Sequence, residues 1–493
     1  MSEFKKIIRQ SAIYGISTAF GRMLSLIIAP ILTRVFEPSD YGKIALVQIA
    51  LGLAVIFAGF NIGSGVTYYY YHHEDEKIRR NVLSSGLGVV TILALFIALV
   101  LFLSAEQINA LLNINVLETG RNVDLVSCLK IGSMGVFFGI IMTAMQSILR
   151  IKQQPNKYAK VEIFSLSIAF LLTILLVIIL KLGILGVFWA SVGGSLCGML
   201  LAIFYVRNWI GRTVSLALLI PILTYALPQM PGVLINWVQS QTGRIFINYY
   251  TSLTEQGLYS IAFTIAGLMM VVTGAFRLAY DPYALSIMKR PDAQKTYASV
   301  FSGYTFGFGV LVALISSFAK PLLLILTPPA YHEAHFMVVW FLAGGFLMGL
   351  NNIIGVGIWI TRKTKFTSYA QGITFLSVMV FSFLLVPKLG AIGAAIAYFI
   401  GSLTQSLAYF IFAQRLYYVP YRFSKTHLLL VILIILGLAN SVFVDGLDFF
   451  GSIGVGSITF LLSSVILFYS VLSKSQREVG VLFVFNLIKK TFS

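Results

Sequence analysis

Four basic side chains stand where long apolar runs should hold none. Arg22 sits inside AFGRMLSLIIAP, residues 19 to 30, and Lys130, Arg244 and Arg277 interrupt three further runs of the same kind. A charge near the middle of a lipid-buried helix costs about 2.5 to 3.5 kcal/mol on insertion scales, so such a cation is a functional signal by default. A guanidinium meets phosphate or carboxylate through two parallel hydrogen bonds, and the chemistry suggested is capture of an anion. Acids are scarce in the same runs: only Asp124 and Glu162, each close to a helix end, oppose the four cations.

The four differ in how well a dull explanation fits them. Arg22 lies about eleven residues from either end of its run, too deep for easy snorkelling to the interface. Arg244 follows a polar stretch with Asn236, Gln239, Gln241 and Thr242, which suits a watery lining. Lys130 and Asp124 are six positions apart, a spacing that does not pair side chains on one helix. Arg277 is near a helix end, where snorkelling is the simpler reading.

The elements that must position these residues follow from composition. The chain has 493 residues, 58% hydrophobic and only 11% charged, a balance no water-soluble domain of this size shows. A helical span needs roughly 20 apolar residues. About fourteen such stretches occur, the first at 11 to 33 and the last at 450 to 472. The expected fold class is all-α, a polytopic membrane protein.

Orientation follows from Lys and Arg placement. With both termini cytoplasmic, most of the 35 Lys and Arg fall on the inner side, as in Lys5, Lys6 and Arg9 or Lys77, Arg79 and Arg80. Only Arg34, Lys43, Arg121, Lys181, Lys320 and Lys388 fall outside. The net charge of +18 is therefore topological, a basic face beside anionic lipid, and implies no nucleic acid partner.

Other classes are disfavoured. The first apolar segment is long and contains Arg22, so no cleavable signal is expected. Cys128 and Cys197 both fall in spans and suggest no disulfide framework. No phosphate-binding loop or HExxH motif occurs, and no connection is long enough to hold an ATPase. His332, Glu333 and His335, like His72 and His73 beside Glu74 and Asp75, are expected to be solvated surface.

An internal duplication organises the chain. KLGILGVFWASVGGSLC, Lys181 to Cys197, returns as KLGAIGAAIAYFIGSLT, Lys388 to Thr404, identical at eight of seventeen places. The basic connection from Arg150 corresponds to that from Arg362, and EPSDYGKIA from Glu37 to TSLTEQGLYSIA from Thr251. Two six-span lobes result, 1–210 and 213–414, followed by a helix pair at 428–472 and a cytoplasmic tail at 473–493. Six spans return the chain to its starting side, so the lobes are parallel repeats enclosing a central cavity.

The runs LTRVFEPSDYGKIAL (Leu32 to Leu46), Arg150 to Ala159, ALPQMPGVLINWV (Ala226 to Val238), GLYSIAF (Gly257 to Phe263) and PKLGAIGAAIAYF (Pro387 to Phe399) make the chain resemble the Wzx-type polysaccharide flippases. These belong to the multidrug/oligosaccharidyl-lipid/polysaccharide (MOP) exporter superfamily, which includes the MATE transporters. One departure is visible: Gly243 precedes Arg244 where the resemblance leads one to expect an acid.

The resemblance implies a flippase of the bacterial inner membrane that turns an undecaprenyl-pyrophosphate-linked oligosaccharide, an O-antigen (lipopolysaccharide) or capsule repeat unit, toward the periplasm. It implies no cofactor and leaves coupling to a proton or sodium gradient open; a polysaccharide polymerase and a chain-length regulator are the protein partners it suggests. Arg22, Lys130, Arg244 and Arg277 would then face the pyrophosphate or acidic sugars. Asn236, Trp237, Gln239 and Tyr14 would contact sugar, although Trp and Tyr also anchor spans at the interface. Asn61, Asn351 and Asn352, beside glycines, fit close helix packing instead.

Two alternatives differ in class. A multidrug or cation antiporter of the same superfamily would want buried carboxylates, against the charge balance. A glycosyltransferase or polymerase could use Glu37 and Asp40, but those fit a short turn with Pro38.

Overall fold

The computed structural model describes residues 2–59, 62–112, 125–211, 213–361, 363 and 365–471. Asn61, Asp124 and the 473–493 tail lie outside the described residues, as does the side chain of Tyr14. Every regular element among them is helical.

The helices are α1 (Ser2–Thr33), α2 (Pro38–Gly59), α3 (Ile62–His72), α4 (Glu76–Leu103), α5 (Ala105–Leu112), α6 (Leu125–Ile151), α7 (Pro155–Thr173) and α8 (Ile184–Val206). They continue as α9 (Leu216–Ala226), α10 (Met230–Tyr250), α11 (Leu253–Ser286), α12 (Ala293–Ser317), α13 (Ala319–Leu326), α14 (His335–Ile354), α15 (Val356–Ile360), α16 (Lys365–Leu416), α17 (Phe423–Phe443) and α18 (Phe449–Val471). Thirteen helical stretches among the described residues are long and apolar enough to cross a membrane. One of them, α16, is 52 residues long and joins two crossing lengths at Gly390, which recovers the fourteen expected from hydropathy.

Proline and glycine set the breaks. Pro155 occupies the first turn of α7, where its missing N–H costs nothing. Pro228 and Pro231 separate α9 from α10 through a short 3-10 turn, Leu227–Gln229. The last turns of the fifth span widen into a π-helical segment, Ile174–Ile179, before Gly183 opens α8.

Packing divides the chain into two compact units, one of residues 1–260 with 382–394 and one of 261–381 with 395–493. In the first, α6 lies against α8, α4 and α2, and α7 packs on α8 and α1. Small residues set the spacing: a Cβ on Gly194 would press on Ala169, and Ser165 Oγ donates to the Gly194 carbonyl at 2.9 Å. α9, which the repeat assigns to the second lobe, packs with this unit because Gly65 of α3 meets the Ile222 carbonyl. Outward faces are apolar, as Ile92, Leu95, Phe96 and Leu99 of α4 show, and suit lipid.

In the second unit α17 and α18 pack on α12, and a polar seam fixes α17. Lys320 Nζ, on α13, donates to the Val444 carbonyl at 2.7 Å, and Asn440 Nδ2 donates to the Ser317 carbonyl at 3.1 Å. His335 corrects an expectation. It is not solvated but 2% exposed, with Nδ1 2.6 Å from the His332 carbonyl and Nε2 3.1 Å from that of Ser441. The cause is that the last carbonyls of a helix lack intrahelical donors, and here the buried ring approaches one of them. Glu333 is exposed, and no metal-binding group of three ligands occurs among the described residues.

Candidate functional site

The first unit contains a cavity of about 1030 Å3 walled by α2, α3, α4, α6 and α8. Glycines open it. Gly132, Gly135 and Gly139 recur on one face of α6, with Gly52, Gly59 and Gly63 on the facing helices. Hydroxyl and amide groups dot an otherwise apolar wall: Gln48, Ser64, Thr67, Thr143, Ser147 and Ser191. Among the described residues no lining residue is acidic, and the one charge is Arg150.

Arg150 is held at the end of α6. Its Nη2 donates to Ser147 Oγ at 2.8 Å, and its guanidinium lies 5.8 Å from the Tyr158 ring centre. Beside it Tyr71 hydroxyl donates to the Ile151 carbonyl at 2.7 Å. The Tyr70 ring is flanked by two cations, Lys152 at 5.0 Å and Arg79 at 5.3 Å, and Lys152 also meets Glu76 at 3.1 Å. Partial burial would depress the Lys152 ammonium, but its contacts with Tyr70 and Glu76 outweigh this and hold it above its ordinary range. This end of the cavity is therefore basic and aromatic.

The cations singled out in the sequence are placed elsewhere. Arg22 is exposed on α1, next to Gly21, which packs on Leu166 of α7. Lys130 is half-buried on α6, its ammonium 5.7 Å from the Phe102 ring centre. Arg244 is half-buried on α10 with Nη1 3.5 Å from Gln241 Oε1. None of the three lines the 1030 Å3 cavity. Arg277 is exposed and pairs with Asp281 at 3.3 Å.

Among the uncharged candidates, Asn236 is exposed and donates to its own helix at the Gly232 carbonyl, 3.1 Å away. Trp237 packs against Leu46, Ile49 and Leu253, its indole at Gly52, so part of the ring serves helix contact. Gln239 keeps a buried Oε1 with no hydrogen-bond partner. The acid missing before Arg244 has a steric counterpart: a Cβ at Gly243 would lie 2.6 Å from the hydroxyl of buried Tyr259. Of the two acids expected in spans, Glu162 is engaged, accepting from Gln146 Nε2 at 2.6 Å. Asp40 meets Lys43 at 3.3 Å and the Glu37 N–H at 3.4 Å, which ties up the outer turn.

A second cavity, about 310 Å3, lies in the other unit between α11, α14, α15 and α16. Arg277, Asn351, Asn352, Trp359, Gln405 and Tyr409 are among its walls. The sequence presents Asn351 and Asn352 as packing amides, and only the fold brings Gln405 and Tyr409 to them. The Gly132, Gly135 and Gly139 spacing was the legible signal for the larger cavity.

Comparisons with known proteins agree with this architecture. A family model described as polysaccharide biosynthesis protein matches residues 7–288. Comparison with curated proteins finds no match. Among solved structures the chain is similar to lipid II flippase MurJ in an inward closed conformation, with TM-score 0.72 and 17% identity over 93% of this chain and 99% of that one. It is also similar to a multidrug resistance MATE family transporter of the MOP superfamily. The outward-facing form gives TM-score 0.60 and 17% identity over 84% and 95% of the two chains. The inward-facing form gives TM-score 0.62 and 15% identity over 82% and 95%. At these identities the likeness establishes the fold. With more than half of its length matched by the family model, the chain belongs to the polysaccharide biosynthesis protein family, and its described residues have the multi-pass helical fold of the MurJ and MATE structures.

Proposed function

We propose that this chain is a flippase that moves an undecaprenyl-pyrophosphate-linked oligosaccharide, an O-antigen or capsule repeat unit, from the cytoplasmic to the periplasmic leaflet of the inner membrane, with both termini cytoplasmic. The observation that carries the reading is the 1030 Å3 cavity among membrane-spanning helices, with several hydroxyls, one guanidinium and no acid among the described residues of its walls. A pyrophosphate-bearing glycan cannot cross hydrocarbon unsolvated. A roomy path dotted with hydroxyls and amides, with positive charge at one end, lowers that barrier, whereas a cation or proton antiporter needs carboxylates there. Family membership and the likeness to a lipid II flippase favour the same reading. Arg22, Lys130 and Arg244 are assigned to the pyrophosphate or acidic sugars, Arg277, already paired with Asp281, to a sugar hydroxyl, and Tyr14, Asn236, Trp237 and Gln239 to sugar.

Reconstitution tests it. Vesicles holding the purified chain should move a fluorescent undecaprenyl-pyrophosphate oligosaccharide between leaflets, read by its accessibility to an impermeant quencher. Vesicles that export organic cations while leaving that lipid in place would support the antiporter instead.

A further inference from the structure

We propose that the 310 Å3 cavity of the second unit is a subsite for one uncharged, hydroxyl-rich sugar ring of the cargo, distinct from any contact to the pyrophosphate. The proposal rests on the reading that the cargo carries a glycan. The volume is at the small end for ligand pockets, about 300 to 1,000 Å3, and suits a ring, not a whole repeat unit.

The polar groups select for hydroxyl. Asn351 is 6% exposed; its Nδ2 donates to Gln405 Oε1 at 3.3 Å, and its Oδ1 is buried without a partner. The amides of Asn351, Asn352 and Gln405 on the walls can each donate and accept, so the cavity suits a ligand that does both. Ionised phosphate and carboxylate only accept and cannot fill that role. Arg277, the one charged residue among the described lining residues, is already matched by Asp281, which reduces the pull on a free anion. A sugar hydroxyl both donates to an amide oxygen and accepts from an amide or a guanidinium. Trp359, on the α15 wall, offers an aromatic surface to the apolar face of a pyranose.

Gly274, on the α11 wall, provides the test. A Cβ there meets nothing within 4 Å, so a larger side chain can enter the cavity without disturbing a neighbour. Full-length chain in nanodiscs would be titrated with two probes: undecaprenyl pyrophosphate bearing the oligosaccharide of the host's surface polymer, and the same lipid without sugar. Gly274→Leu and Asn351→Leu should each weaken the glycosylated probe by about tenfold, the scale of one lost hydrogen bond or ring contact. Both should leave the sugarless probe within about twofold. Equal weakening of both probes, or no weakening of either by Gly274→Leu, overturns the subsite while leaving the flippase reading in place. Wild-type chain that binds neither probe overturns both.

Discussion

Gly183 and Gly390, 207 positions apart, adopt the same backbone conformation: φ 61° and ψ −141° at the first, φ 58° and ψ −138° at the second. Each opens the last helix of its repeat, and both lie in a region L side chains rarely enter. Their surroundings differ. A Cβ on Gly183 meets open space, whereas one on Gly390 would run into the Glu255 carboxylate, which accepts from the Ala391 N–H at the start of that helix. Gly183→Ala should cost about 1 to 3 kcal/mol through backbone strain alone. Gly390→Ala should cost more, and thermal unfolding in detergent would rank the two; equal losses would show that the Glu255 contact contributes nothing.

The repeat also produces a reciprocal contact at the outer turns. Gly42 of α2 packs on the Leu253 carbonyl, and Gly257 of α11 packs on that of Pro38, with no room for a Cβ at either place. Gly42→Ala and Gly257→Ala should each abolish export of surface polysaccharide in a flippase-null strain. Gly232→Ala, on α10, meets nothing within 4 Å and should export normally. Export by both outer-turn variants at normal protein levels would show the close approach to be dispensable.

Filling the larger cavity should be graded by size. Gly139 has only Ser195 Oγ within 4 Å of its Cβ position, at 3.7 Å. Gly139→Ala should be silent, while Gly139→Leu and Gly139→Phe should lower leaflet transfer progressively with the protein still folded, as monitored by gel filtration. Full transfer by Gly139→Phe would place the cargo path elsewhere.

Arg22 tests charge against shape. Its guanidinium is exposed at mid-span, a position that costs several kcal/mol in lipid unless water or an anion meets it. Arg22→Lys should retain part of the activity, since a point cation still attracts phosphate after the fork is lost. Arg22→Ala and Arg22→Glu should abolish surface polysaccharide at normal protein levels, checked by immunoblot. Full activity of Arg22→Ala would reduce the residue to a packing role.

The polar seam at α17 predicts a stability effect with an internal control. Lys320 is 7% exposed and bonds a buried carbonyl, so Lys320→Ala should cost about 1 to 3 kcal/mol by leaving that acceptor unpaired. Its second partner, Asp445, is 64% exposed, and Asp445→Ala should change the melting temperature little. Equal effects would assign the stabilisation to the ion pair.

Sequence alone determined the fourteen crossing lengths, the duplication and the family resemblance. Each is legible along the chain: the bilayer fixes how many apolar residues a span needs, and a duplication shows as identities at matching positions. Tertiary structure decided which side chains meet. Arg150 reads in the sequence as one basic loop residue among many, yet it is the charge on the cavity wall; Trp237 reads as a sugar platform and packs on Gly52. His335 lies 106 positions from the Ser441 carbonyl it approaches, and Asn351 lies 54 from Gln405. Such pairs depend on how each helix is rotated about its axis, which small-residue contacts between distant segments set, and no apolar run records that rotation in its own composition.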